Sequence, residues 1–140
     1  MDCMLETLNS GLPGLGLALS DGQKETLCAF GRAVIQQNQV MNLTAITQPE
    51  QVARLHLLDS LTVLTCGDLS GLRLIDVGCG AGFPGVPLAI GCPQLEVTLL
   101  DSLGKRVHWL EEILPQLGIR ATCLTARAEE AVADRREQYD

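Results

Sequence analysis

The sequence predicts an α/β fold, a parallel β-sheet with helices on both faces that is preceded by N-terminal helices. Three observations carry that expectation. From residue 72 onward, short apolar runs alternate with helix-length stretches, the pattern of βαβ units and a parallel sheet. The first run, LRLIDV, leads into glycines at 78, 80, 82 and 85, where bare backbone lets a strand turn sharply into a helix. Before residue 72 the apolar spacing is helical. The chain therefore divides into a helical segment over residues 1–71, packing on the core, and the first half of a cofactor-binding domain over residues 72–140.

Each element has a local reason. GLPGLG at 11–16 is a loop by its glycine and proline content. Ser20 followed three residues later by Gln23 has the spacing of a capping box, and the apolar residues at 27, 30, 34 and 35 then share one helical face. Thr47 and Glu50 repeat the device, with Pro49 in the first turn and Val52, Leu55 and Leu58 at helical spacing. LRLIDV and LEVTLLD read as strands, the second ending at Asp101. SLGKRVHWLEEILPQLG places Leu103, Val107, Leu110 and Leu114 on one helical face and is expected to stop near Pro115. IRATCLT gives a third strand, leading into ARAEEAVADRREQYD. In such sheets ligands sit beyond the carboxyl ends of the strands. The glycine loop, Asp101 and residues 126–130 all lie at such ends.

Composition narrows the setting. A chain of 140 residues, 46% of them hydrophobic, can bury one core of a single domain. No apolar run approaches the roughly 20 residues of a membrane span, and the N-terminal MDCMLETLNS is acidic ahead of its apolar residues, so a cytoplasmic protein without membrane contact is expected. The six cysteines are scattered with no C-x-x-C pair. Free thiols and no metal site follow. A formal charge of −7 argues against nucleic-acid binding through overall charge, so any RNA contact would use a local basic patch.

The glycine loop narrows the ligand. A literal G-x-G-x-x-G occurs at Gly80, Gly82 and Gly85, which suggests a dinucleotide. Its register argues otherwise, because the strand ends at Val77, Gly78 becomes the first turn glycine, and the sixth position is then the bulky Phe83. Pro84 and Pro87 also remove amides that would hold a pyrophosphate. A ligand without phosphates fits better. S-adenosylmethionine is one, its methionine portion lying over a glycine turn and its ribose held by a carboxylate at the end of the second strand. Asp101, 23 residues after Gly78, has that chemistry. The bland readings are a tight turn for the glycines and a helix N-cap for Asp101.

MNLTAI, HLLDSL, IDVGCGAGFPGVPLAI, VTLLDSLGKRVHWL and ARAEE follow one another in the order and spacing of a known family. With them the chain resembles, over most of residues 35–140, the N-terminal portion of the bacterial ribosomal RNA small subunit methyltransferase G family, also called glucose-inhibited division protein B. The resemblance implies a Rossmann-like class I S-adenosylmethionine-dependent methyltransferase fold. It also implies methyl transfer to ring nitrogen 7 of a guanine in 16S rRNA, with the small ribosomal subunit as partner. Carried over, the cofactor contacts are Gly78 and Phe83, with Gly80 and Gly82 beside them, Asp101 at the ribose, and Ala128 with Glu129 beside the adenine. Leu55 stands where members usually have Arg or Lys, and Gln37-Asn38 where Trp-Asn is common. The sheet is expected to be incomplete, with a further strand pairing on the open side of the first, and the full-length protein is expected to be a monomer.

Transfer to ring nitrogen 7 needs no general base, since that nitrogen carries a free lone pair. Positioning is then the main contribution of the protein. No catalytic side chain is expected, and His56 and His108 read as helix residues, His56 within one turn of Asp59. Arg54, His56, Lys105 and Arg106 are the candidates for RNA contact. The alternatives are a cofactor-binding fragment without transferase activity and a dinucleotide-dependent oxidoreductase module.

Overall fold

A computed structural model describes residues 3–127 of the chain. Helix α1 (Cys3–Gly11) and a 3-10 turn (Pro13–Leu15) lead to α2 (Asp21–Met41). The capping box at Ser20 and Gln23 is formed in both directions, so two orphan amides of α2 are satisfied at its start. Its buried face carries Leu27, Cys28, Phe30, Gly31 and Val34, with Ile35 only partly covered. The segment Gly11–Gly16 is therefore a helix end and a 3-10 turn rather than an open loop.

The next helical stretch differs from its expected pattern. Short α3 (Pro49–Gln51) runs into a π-helical segment (Val52–Leu58) and returns to α-helix as α4 (Asp59–Leu61), followed by a 3-10 turn (Thr62–Cys66). The N-cap is Gln48, without a side-chain cap, not Thr47. The wider π turn changes which positions face inward: Val52, Ala53, Leu57 and Leu61 are buried, whereas Leu55 is 42% exposed. Spacing counted at 3.6 residues per turn put Leu55 on the wrong face.

Three parallel strands follow, β1 (Arg73–Val77), β2 (Glu96–Asp101) and β3 (Thr122–Thr125), in the order β1-β2-β3. Asp76 pairs with Leu99 and Val77 with Leu100, while Asp101 pairs with Thr125, so the carboxyl ends of all three strands finish together. Helix α5 (Gly85–Gly91) joins β1 to β2 and α6 (Gly104–Gln116) joins β2 to β3. The strand β2 is central and near-continuously buried, from Val97 to Asp101, as a parallel strand between two neighbours should be.

Helix α6 buries Val107, Trp109, Leu110 and Leu114. Leu103 is its N-cap and is 43% exposed, one position too early to join that face. Pro115 does not stop the helix. Gly118, at φ 71°, does so: the Ile119 amide donates to Leu114 O and the Gly118 amide to Pro115 O, the two bonds of a Schellman ending. One core joins Phe30 and Leu57 from the helical layer to Val97, Leu99 and Leu110. The division at residues 71 and 72 is a change of sequence pattern, not a gap in packing.

Among the described residues β1 pairs only with β2, and Val77 at its end is 54% exposed. An unpaired strand edge with apolar side chains invites association. Residues 1–140 produced alone should therefore self-associate, with sedimentation velocity showing oligomers or aggregate. A monodisperse monomer that melts cooperatively would show that the β1 edge is covered.

Candidate functional site

The carboxyl end of the sheet is built around one carboxylate. Asp101, the last residue of β2, is 5% exposed. Its Oδ2 accepts the Gly80 amide at 2.8 Å, and its Oδ1 accepts the Leu103 amide at 2.8 Å. Arg106 Nη1 lies 3.6 Å from the same Oδ2. The turn after β1 is anchored from below by Leu100, whose carbonyl accepts the amides of Gly78 and Cys79 at 2.8 and 2.9 Å. Thus the glycine turn is sewn to the end of β2 by three hydrogen bonds.

The four glycines do two different jobs. Gly78 and Gly80 have φ of 72° and 57°, and among the described residues a Cβ added at either would meet nothing within 4 Å. These positions need glycine for a left-handed backbone, and the space beside them is open. Gly82 and Gly85 face protein. A Cβ on Gly82 would lie 2.8 Å from Val86 Cγ2 and 3.2 Å from Phe30, and one on Gly85 would collide with Leu99 and sit 2.9 Å from Asp76 Oδ2. Close packing of loop, α5 and sheet explains Gly85, and at Gly82 it adds to a positive φ of 105°. Gly82, expected beside the cofactor, turns the place of its missing side chain into the core.

Asp76 is a site residue that the sequence reading passed over. It lies on β1 at 8% exposure, and its Oδ2 accepts the Gly85 amide at 2.9 Å. Burial pushes its carboxyl up from 3.8 to about 6, the Gly85 bond opposing and the Asp101 charge adding to the rise. In the sequence only strand alternation could have marked it, as an inward-facing acid just before the glycine turn. Cys79, between the two open glycines, is buried and its thiol is pushed up to about 12, first by burial and then by Asp76 and Asp101. It is a packed thiol, not a nucleophile. Among the described residues no disulfide joins two of the cysteines.

Phe83 is held by rings on two sides. The His56 imidazole stacks on it at 4.4 Å and 5°, and Phe30 meets it edge-on at 5.6 Å. Phe30 in turn stacks against Trp109 at 6.2 Å. His56 Nε2 is 2.8 Å from Thr44 Oγ1, twelve residues back, rather than bonded to Asp59. Burial lowers the pKa of His56, with Asp59 pulling partly the other way. Burial therefore favours the neutral form of this half-buried ring.

The remaining candidates separate. Arg54 is exposed and pairs with Glu50 at 3.2 Å within its own helix. Lys105 is exposed at the start of α6. Arg106 turns in toward Asp101, and its buried Nε has no hydrogen-bond partner among the described residues. His108 pairs with Glu112 at 2.9 Å on the surface. Ala128 and Glu129 lie outside the described residues. Among the described residues there is no group of three His, Cys, Asp or Glu able to hold a metal, and no helix long and apolar enough to cross a membrane. A groove of about 1080 Å³ lies instead toward the amino ends of β2 and β3, lined by Glu96, Thr98 and Arg120.

The raised pKa of Asp76 sets a pH dependence. The folded chain holds this proton more tightly than the unfolded chain, so the stability it contributes is complete below about pH 4 and is lost as pH rises through about 6. Asp76→Asn keeps an acceptor for the Gly85 amide and removes the buried charge. It should stabilise the protein at pH 7 by about 1 to 3 kcal/mol and by almost nothing at pH 4. Denaturant titrations of both proteins at the two pH values measure this, and an equal effect at both would contradict the assignment.

Comparison with known proteins agrees with this architecture. Residues 23–140 match the family described as rRNA small subunit methyltransferase G. The chain is 43% identical over 137 residues to the Ribosomal RNA small subunit methyltransferase G of Alkaliphilus metalliredigens, covering 95% of this chain and 57% of that protein. It is 42% identical over 127 residues to the protein of that name from Klebsiella pneumoniae, covering 90% of this chain and 60% of the relative. The corresponding figures for the Streptococcus sanguinis relative are 38% over 130 residues, 89% and 55%. The chain thus spans little more than half the length of the relatives it matches. On the extent of that match, with the parallel sheet and glycine turn it predicts in place, the chain belongs to the rRNA small subunit methyltransferase G family.

Proposed function

We propose that the full-length protein transfers a methyl group from S-adenosylmethionine to ring nitrogen 7 of a guanine in 16S rRNA, acting on the small ribosomal subunit in the cytoplasm. The observation that carries this reading is the pairing of two open, left-handed glycines, Gly78 and Gly80, with the Asp101 carboxylate at one sheet end. The residues fit the cofactor. Open space beside bare backbone suits a chain lying over the turn. A carboxylate has about four acceptor sites, and the Gly80 and Leu103 amides occupy two around Asp101, with Arg106 Nη1 3.6 Å away as an ion pair, which leaves capacity for a ribose hydroxyl. The buried Nε of Arg106, without a hydrogen-bond partner among the described residues, adds a further donor at this end of the sheet.

When bound, S-adenosylmethionine supplies a methyl group already activated on a sulfonium. The part of the chain is then to hold and orient. Gly78 and Gly80 offer backbone, Asp101 fixes the ribose, and Phe83 gives an apolar wall. From the family resemblance, Ala128 and Glu129 would border the adenine. An acceptor nitrogen that needs no deprotonation asks for no general base from the chain. Orientation alone can recover on the order of 7 to 11 kcal/mol of barrier. Lys105 and Arg54 are the exposed cations among the RNA candidates. With a net charge of −7, contact with RNA would be local.

A dinucleotide is disfavoured by Gly82. The middle glycine of G-x-G-x-x-G should let a pyrophosphate approach the backbone, but here Val86, Phe30 and Leu110 fill that side.

Two measurements test the reading. Calorimetry with S-adenosylhomocysteine should show binding by the full-length protein, weakened in Asp101→Ala by about 1.5 to 3 kcal/mol, the range for a hydrogen bond to a charged group; equal affinity would remove Asp101 from the site. Gly80→Val should abolish binding at a folding cost limited to the left-handed backbone, about 1 to 2 kcal/mol, while Gly82→Ala should chiefly destabilise, by about 1 to 3 kcal/mol through overpacking on top of the strain of a side chain at φ 105°. Mass mapping of 16S rRNA after incubation with small ribosomal subunits should locate the added methyl on a guanine. Binding without any transfer by the full-length protein would favour a cofactor-binding role alone.

A further inference from the structure

The ring contacts of Phe83 join two parts of the molecule that the sequence pattern separates. Phe83 belongs to the loop that carries Gly78 and Gly80, whereas His56 and Phe30 belong to the N-terminal helical layer. The His56 ring lies nearly parallel to Phe83, 4.4 Å away, a distance at which two rings are in face contact. Its orientation is fixed from behind by Thr44, whose hydroxyl meets Nε2 at 2.8 Å. Thr44 is fixed in turn: Asn38 Oδ1 accepts the amides of Leu43 and Thr44, and Thr44 Oγ1 accepts the Ile46 amide at 3.1 Å. The ring is also delivered by an unusual backbone. His56 sits in the π-helical segment Val52–Leu58, and π turns occur preferentially at functional sites. In this register Val52, Ala53 and Leu57 stay in the core while His56 reaches the loop.

We propose that His56, oriented by Thr44, is a positioning residue that clamps Phe83 and so holds the glycine turn Gly78–Gly82 in its ligand-ready shape. This rests on the reading of that turn as the S-adenosylmethionine site. On this account the N-terminal helices are part of the cofactor-binding machinery. His56 touches no reacting atom and acts wholly through Phe83.

The test compares wild type, His56→Ala, His56→Phe and Thr44→Val in the full-length protein by amide hydrogen exchange without ligand and by calorimetry with S-adenosylhomocysteine. In His56→Ala the amides of residues 78–86 should exchange about three to ten times faster, with β2 and α6 unchanged, and the dissociation constant should rise by about the same factor. Thr44→Val should move both in the same direction by less. His56→Phe, which keeps the face contact, should bring both back to within about twofold of wild type. Exchange in the loop equal to wild type in His56→Ala, or faster exchange spread evenly over all elements, would overturn the clamp, as would failure of His56→Phe to restore the loop. If wild type does not bind S-adenosylhomocysteine, the cofactor reading fails, and the loop exchange in the unliganded variants still decides the clamp.

Discussion

The hydrogen bond from the Gly80 amide to Asp101 Oδ2, 2.8 Å long, is the constraint on which the site depends. It requires that β1 and β2 lie side by side in parallel register, so that the turn after Val77 reaches the residue that ends β2. It requires Gly80 to keep a left-handed backbone, because only then does its amide point to the carboxylate while the other side of the chain stays open. It also requires Asp101 to be buried and already satisfied by Leu103. A buried carboxylate with one donor would be costly to hold; with several it becomes a rigid acceptor.

Around that bond the rest of the molecule acts as support. Gly82 and Gly85 allow α5 and the loop to close onto Phe30, Leu99 and Asp76. Helix α6 begins where Leu103 leaves Asp101, and it carries Leu110 against the same loop. The aromatic chain His56, Phe83, Phe30 and Trp109 ties the helical layer to both. Asp76 works against stability here. A carboxyl raised to about 6 by burial is held mostly ionised at neutral pH at a free-energy cost, which is how functional sites commonly differ from the cores around them.

Much of this was legible in the residues. The strands could be read because β2 is buried along nearly its whole length and β1 runs straight into the glycines. The Ser20 and Gln23 capping box could be read because both of its bonds are local. What failed were inferences that assumed an ordinary helical turn or a nearby partner. Leu55 was misplaced because a π-helix shifts the buried face. His56 was matched with Asp59, three residues away, when its partners are Thr44 and Phe83, the latter 27 positions distant. Four glycines in one loop look alike in sequence, and only packing separates the two that face open space from the two that face Val86 and Leu99. Lys105 and Arg106 follow Asp101 alike in the sequence, and only the fold shows that Arg106 is drawn in toward Asp101.

The turn Gly78–Gly80 with Asp101 is the proposed cofactor site. An amide-resolved titration of the full-length protein with S-adenosylhomocysteine tests it most directly. The largest shifts should fall on Gly78, Gly80, Asp101 and Leu103, with little change at Glu96, Thr98 and Arg120, which line the groove at the opposite end of the strands. Shifts concentrated on that groove, with the glycine turn unmoved at saturation, would contradict it.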